Sequence, residues 1–254
     1  MKKLVSAIMC LVPCAIGAGL AFRFHGSATA EAAATSAKVL FALSMILCVG
    51  SFAATVATLM PQRKATNVRT LAMASIFAAL AYVGCTYFRI PIPGSTSFFH
   101  FGNTFCVLGA LFLGGFWGGM SASVGMTISD LLNGYVDSAP RTFILKLCIG
   151  LIAGFVAHKV FHISSSTNDR KVSLPIATAV SCAAGMLFNV IADPLLGYFY
   201  KMYIMGIPQD IASSLAKIAT IATAVNAVVA VIAATVFYLA LRPALTKARL
   251  MPTV

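Results

Sequence analysis

Acidic side chains are scarce in this sequence: six Asp and Glu stand against 18 Lys and Arg in 254 residues. Charged residues of both signs together make up only 9%, where a soluble domain carries about a quarter, so an ordinary water-facing surface is excluded. No Gly-x-x-x-x-Gly-Lys-Ser/Thr stretch occurs, so the chain has no phosphate loop with which to hydrolyse ATP itself. No Gly-x-Ser-Gly stretch occurs either. The seven cysteines (10, 14, 48, 85, 106, 148 and 182) all fall in apolar stretches without a Cys-x-x-Cys spacing, which argues against a disulfide or zinc framework. There is a single tryptophan, Trp117.

What fills the space is apolar: 60% of residues, with a mean hydropathy of +0.94. A hydrocarbon core of roughly 30 Å needs about 20 apolar residues per helix. Leu4–Phe22, Val39–Met60, Leu71–Phe88 and Phe101–Ser129 hold no charge at all, nor does Ile218–Leu241. Phe143–Ala157 is interrupted only by Lys146, and Leu174–Tyr200 only by Asp193. The spacing predicts an all-α polytopic membrane protein.

The net charge of +12 is a topology signal rather than a nucleic-acid footprint. Lys2/Lys3, Arg63/Lys64/Arg69, Lys159/Arg170/Lys171 and Arg242/Lys247/Arg249 form short basic segments, which the positive-inside rule places in the cytoplasm, beside anionic lipid. Both termini are then cytoplasmic. The thread is an N-terminal transmembrane hairpin (1–60), a basic cytoplasmic linker (61–69), a six-helix core (70–243) and a cytoplasmic tail (244–254). Lys2/Lys3, an apolar stretch and Ala28-Thr29-Ala30 also fit a cleaved signal peptide, and that alternative stands beside the hairpin. Within the core, Pro91 and Pro93 bar a helix and favour an extended outer loop. GGFWGG (114–119) reads as the inner turn, followed by a short helix from Met120 to Leu132. The outer loops Arg89–Phe99 and Tyr200–Ser214 are candidate lids.

Polar groups inside a membrane are costly and invite a functional reading. At about 1.5 Å per residue, Asn103, Asp130, Lys146, Asn189, Asp193 and Asn226 fall in the outer halves of their spans, with His100 at the outer headgroup level, while the inner halves are almost purely apolar. That suits a capture site open to the outside and does not suit a continuous conduction path. Tyr200 joins Phe98, Phe99, Tyr198 and Tyr203 as outer aromatics able to flank a planar heterocycle. Each residue has a structural reading as well. Lys146 can pair with Asp130 or Asp137; Asp193 precedes Pro194, which kinks a helix; Asn189 and Asn226 can bond across helices. His158 and His162 lack a third ligand, so no metal site is expected. Ala74, Ala78, Ala81 and Cys85 share one helical face, a small-residue stripe that lets another helix approach closely.

The stretch from Phe99 to Lys146 resembles the substrate-binding S components of energy-coupling-factor (ECF) vitamin transporters, in particular the riboflavin-transporter-like group. The resemblance rests on His100-Phe-Gly-Asn103, GGFWGG, Gly125…Asp130-Leu-Leu-Asn-Gly134-Tyr135 and Ala139-Pro140-Arg-Thr142-Phe-Ile-Leu-Lys146. Asn103 stands where the family more often has an acid, and the N-terminal hairpin lies outside the common six-helix plan. The resemblance implies a non-catalytic receptor without cofactors in the cell membrane of a prokaryote. It would bind a water-soluble vitamin or precursor (riboflavin-, pyridoxine- or hydroxymethylpyrimidine-like) through His100, Asn103, Asp130, Lys146, Asn189, Asp193, Tyr200 and Asn226. It also implies docking through Ala74, Ala78 and Ala81 to a transmembrane coupling subunit served by two cytoplasmic ATPases. The competing reading is a membrane scaffold or assembly protein.

Overall fold

A computed structural model describes residues 68–95, 97–136, 138–164 and 172–248. The expected N-terminal hairpin, the linker up to residue 67 and Asp137 lie outside the described residues. The chain divides into two units: Met1–Ala65 with Tyr198–Ala212, and Thr66–Gly197 with Ser213–Val254.

Six α-helices lie among the described residues. Helix α1 (Val68–Thr86) leads into a two-stranded hairpin, β1 (Arg89–Pro91) and β2 (Phe98–His100). Then come α2 (Gly102–Leu113), α3 (Gly115–Leu132), α4 (Ala139–Phe155), α5 (Leu174–Phe199) and α6 (Gln209–Lys247). Single π-helical turns, Val156–Val160 and Tyr200–Ile204, extend α4 and α5. Four of these stretches are long and apolar enough to cross a membrane: Val68–Thr86, Ala139–Val160, Leu174–Ile204 and Gln209–Lys247. Large apolar side chains point outward from them, among them Ile76, Val180, Leu187, Ile191 and Val228. Exposure of such residues is what lipid as solvent requires.

In the larger unit, α3 touches α1, α2 and α4 through glycines. A Cβ at Gly125 would strike the Ala78 carbonyl of α1, and one at Gly118 would strike the backbone at Gly109 and Ala110 of α2. On α4, Gly150 meets the Gly119 backbone, and Gly154 meets Gly115. Apolar burial does not drive helices together in lipid, so contact of this kind, backbone against backbone, supplies the attraction. Hydroxyls on these helices turn back onto their own turns: Ser121 donates to the Trp117 carbonyl (2.6 Å) and Thr178 to Leu174 (2.9 Å). Ser123 donates both to Gly119 (2.8 Å) and across to Phe143 of α4 (2.9 Å).

Several expectations change here. GGFWGG does not form a six-residue turn. Gly114 alone, at φ 81 and ψ 166, breaks the chain in a conformation open essentially to glycine. The remaining glycines begin α3, which is therefore a full 18 residues. The Arg89–Phe99 loop is a hairpin, in which Arg89 pairs with His100, Ile90 with Phe99 and Pro91 with Phe98. The expected outer loop Tyr200–Ser214 is helical at both ends, because Pro208 pre-sets the entry and Asp210 complements the positive end of α6. In the smaller unit, Phe199 stacks on Tyr203 with ring centroids 6.0 Å apart.

The small-residue stripe of α1 also faces the other way. Ala81 is 0% and Ala74 6% exposed, and Ala78 lies against Gly125. The chain's own α3 occupies the face expected to receive a coupling subunit, because glycine on one side and alanine on the other permit the close crossing. Ala72, Ser75 and Ala79 are the small residues of α1 that remain exposed.

Gly150→Ala places a methyl into the Gly119 backbone. It should lower stability by about 1–3 kcal/mol, read as a drop in thermal midpoint in detergent. Ala79→Val, on the exposed face, should leave the midpoint nearly unchanged.

Candidate functional site

Helix α4 starts at Ala139 with a proline in its first turn, where a missing N–H costs nothing. That start sets Arg141, Thr142 and Lys146 along the first two turns, opposite α3 and α5. The Thr142 hydroxyl donates to Asp130 Oδ2 of α3 at 2.5 Å. Beside it Ser129 shares a hydrogen bond with Thr86 of α1 (2.8 Å), and Asn133 Nδ2 donates to the Ser129 carbonyl (2.7 Å).

Arg141 belongs to Asp193. Its Nη1 lies 3.6 Å from Asp193 Oδ1 and donates to the Asp193 carbonyl at 3.3 Å. Thr223 of α6 donates to the other carboxylate oxygen (3.3 Å) as well as to Ala219 (2.7 Å). Pro194 follows directly, inside α5. Asp193 is thus held from two helices at a point where the next residue supplies no N–H.

Lys146 has no such partner. Its side chain is 6% exposed, and no carboxylate among the described residues lies within ion-pair distance of it. Its Nζ donates at 3.5 Å to Oδ1 of Asn189, itself 1% exposed. An ammonium carries three donors, so most of its capacity is unspent in a region where solvation is scarce. Facing it on α2, Cys106 touches the Lys146 carbonyl (3.5 Å). One turn earlier on the same helix stands Asn103, 1% exposed. Among the described residues, Asn103 Oδ1 and the neighbouring Thr104 Oγ1 are buried without a hydrogen-bond partner.

The hairpin adds the remaining groups. His100 Nδ1 accepts the Gly102 N–H at 3.2 Å, which leaves the proton of the neutral ring on Nε2. Desolvation pushes the His100 pKa down to about 3, the Lys146 charge adds to the fall, and the Asp193 carboxylate opposes it. Arg89 lies over Phe98 (5.1 Å) and Tyr135 (5.8 Å), and those two rings meet edge to face at 5.3 Å. Asn226 of α6 spends its amide on the backbone of β2.

Of the residues singled out in the sequence, Asp130, Lys146, Asn189 and Asp193 fall together across α3, α4 and α5, with Asn103 on the facing α2. Tyr200 lies in the smaller unit, where its carbonyl accepts the Met205 N–H (3.2 Å). Three members of the network were not foreseen: Arg141, Thr142 and Thr223. The Pro140-Arg-Thr segment was the signal for the first two, since a proline at a helix start fixes which residues enter the first turn; Thr223, on α6, had no such signal. At the opposite end, His158 Nε2 donates to the Ala110 carbonyl (3.1 Å) and Nδ1 accepts from Ser164 (3.0 Å), so that ring is engaged in packing. Among the described residues no three His, Cys, Asp or Glu gather as a metal site would need.

A model of the family described as "ECF-type riboflavin transporter, S component" matches residues 65–243, well over half of the chain. A curated protein from Pyrococcus woesei, described as "Uncharacterized protein in gap 3'region", is 36% identical over 67 residues, which are 26% of this chain and 45% of that protein. The chain therefore spans under half the length of that relative. No solved structure matches.

With a folded-state value near 3 and an ordinary value of 6.5, His100 takes up a proton more readily when unfolded. Its contribution to stability is intact above pH 6.5 and is lost progressively as the pH falls toward 3. Thermal midpoints at pH 7.5 and pH 5 should therefore differ more for the natural protein than for His100→Gln.

Proposed function

The chain belongs to the ECF-type riboflavin transporter S-component family, and from that premise we propose that it captures riboflavin or a close flavin relative at the Lys146–Asn189–Asn103 cluster. S components are substrate-binding subunits of transporters and not enzymes; they work with an ECF module of membrane and ATPase subunits. The apolar helices make this one a multi-pass membrane protein.

The observation that carries the substrate reading is the buried, largely unspent ammonium of Lys146, with the buried and unpartnered Asn103 Oδ1 on the facing helix α2. Buried polar groups are normally satisfied, and a site built to hydrogen-bond a ligand holds such groups ready for it. An ammonium offers donors to ring carbonyls and a carboxamide oxygen accepts an imide N–H. Together they complement the donor–acceptor edge of a flat heterocycle such as the flavin pyrimidine ring. The two carboxylates are already engaged by Thr142 and Arg141, so they serve to hold the site in shape. Asn103 in place of an acid keeps the α2 side of the cluster neutral, which suits an uncharged ring edge.

Docking to the membrane subunit of the ECF module falls, on this reading, to the exposed small face of α1 (Ala72, Ser75 and Ala79), since the opposite face is filled by α3. The termini would be cytoplasmic and the capture site open to the outer side of a prokaryotic cell membrane.

Native mass spectrometry of protein purified from riboflavin-containing medium should show one flavin per chain; protein that stays empty when riboflavin is added would overturn the substrate assignment and favour a scaffold. Lys146→Met should weaken riboflavin binding by roughly 10- to 100-fold, the scale of a hydrogen bond to a charged donor. The thermal midpoint of the empty protein should hold or rise, because an uncompensated buried charge is removed. Ala79→Leu should abolish co-purification with the ECF module while leaving riboflavin binding unchanged.

A further inference from the structure

We propose that Asn226 is a positioning residue that latches the β1–β2 hairpin shut by acting as the third strand of its sheet, so that solute entry requires this one amide to let go. The reading of the hairpin as a cover for the solute rests on the function proposed above; the latch itself does not.

The register of the hairpin decides which backbone groups are free. Ile92 N–H donates to the Ser97 carbonyl (3.2 Å), and hydrogen-bonded pairs recur every second residue along an antiparallel ladder. Ile90 and Phe99, paired in register, are therefore the next bonded pair. Phe99 turns its N–H and C=O toward β1, and the flanking Phe98 carbonyl and His100 N–H point away from it. These two groups would be an unpaired sheet edge.

Asn226 fills that edge. Its Nδ2 donates to the Phe98 carbonyl at 2.8 Å, and its Oδ1 accepts the His100 N–H at 3.1 Å. A side-chain amide presents one donor and one acceptor in a plane, the same pair that a neighbouring strand would offer across residue 99. The side chain is 6% exposed, so water competes poorly for either bond. One turn away on α6, Thr223 holds the Asp193 carboxylate. A single face of α6 therefore grips both the hairpin and the Arg141–Asp193 pair, and outward movement of this helix would release the two together.

The other ties of the hairpin are of a different kind. Arg89 rests on rings, and the Phe101 N–H reaches the Gly84 carbonyl (3.1 Å) at the point where the chain enters α2. The first can slide and the second lies at the hinge. The strand edge has only Asn226 among the described residues.

The experiment compares amide hydrogen exchange of the 95–103 peptide in natural protein, Asn226→Asp and Asn226→Leu, alongside stopped-flow riboflavin binding. Asn226→Leu removes both bonds and should speed exchange of that peptide about tenfold or more, with α3 and α4 peptides unaffected. Asn226→Asp keeps an acceptor for His100 N–H but sets a carboxylate oxygen against the Phe98 carbonyl, and should give a smaller acceleration confined to the same peptide. Riboflavin association and dissociation should both quicken, with a smaller change in Kd. Unchanged exchange in Asn226→Leu would overturn the latch. So would faster dissociation with unaltered association and exchange, which would make Asn226 a direct solute contact. If no variant binds riboflavin, natural protein included, the substrate assignment fails while the exchange data still decide the latch.

Discussion

Everything in the larger unit depends on how closely α3 can approach its neighbours. Lipid gives helices no hydrophobic reason to associate, and what remains is dispersion between surfaces that fit and a few hydrogen bonds. Glycines at 118 and 125 bring the α2 and α1 backbones against α3, and the reciprocal pairs Gly119/Gly150 and Gly115/Gly154 bring in α4. That closeness puts Thr142 within a short hydrogen bond of Asp130 and leaves Lys146 between helices rather than facing lipid. The burial of Lys146 is a by-product of packing density: a wider helix spacing would admit water or lipid and leave the ammonium solvated.

The polar groups then divide by how fully they are used. Asp130 has Thr142, Asp193 has Arg141 and Thr223, and Asn226 has the β2 backbone. Lys146 and Asn103 hold unspent capacity. In a medium where an idle polar group costs several kcal/mol, the engaged groups stabilise the structure and the idle ones are those the proposed capture would use. The number of polar residues in the cluster therefore overstates the number that meets a ligand.

How much of this was legible beforehand follows from which interactions are local. Among the described residues, apolar runs set by membrane thickness marked α1 and α5 within a few residues, since the run length is a property of the chain alone, whereas α6 extends well beyond its apolar run at both ends. The convergence of Asp130, Lys146, Asn189 and Asp193 was legible too, because depth along a helix is a matter of counting. Facing was not. Ala74, Ala78 and Ala81 form a stripe whichever neighbour they meet, and only the glycines of α3, some 50 residues on, decide that the neighbour is internal. GGFWGG looked like a turn because glycine signals both turns and close packing; in lipid the second use prevails. Asn226 carries the same amide whether it binds solute or a strand edge, and nothing in its own segment reveals the edge. The pairing of Arg141 with Asp193 likewise joins residues far apart in sequence and needed the fold to be seen.

The glycine contacts also settle where the molecule can bend. Where the paired glycines of α3 and α4 meet, the touching surfaces are backbone with no rotamers to exchange, so that part of the seam offers no soft coordinate and moves as one piece. The seams of α6 are of another sort: a hydroxyl on Asp193, an amide on β2, the Arg242 guanidinium on the Ile163 carbonyl (3.0 Å), and the Tyr238 ring against Phe112 (4.8 Å between centroids). Each of these can break and re-form by turning a side chain. In mechanical terms α1 to α4 form a stiff block and α6 a compliant strut alongside it. Any work done on it from outside would be taken up in the strut, leaving the block that carries Lys146 undeformed.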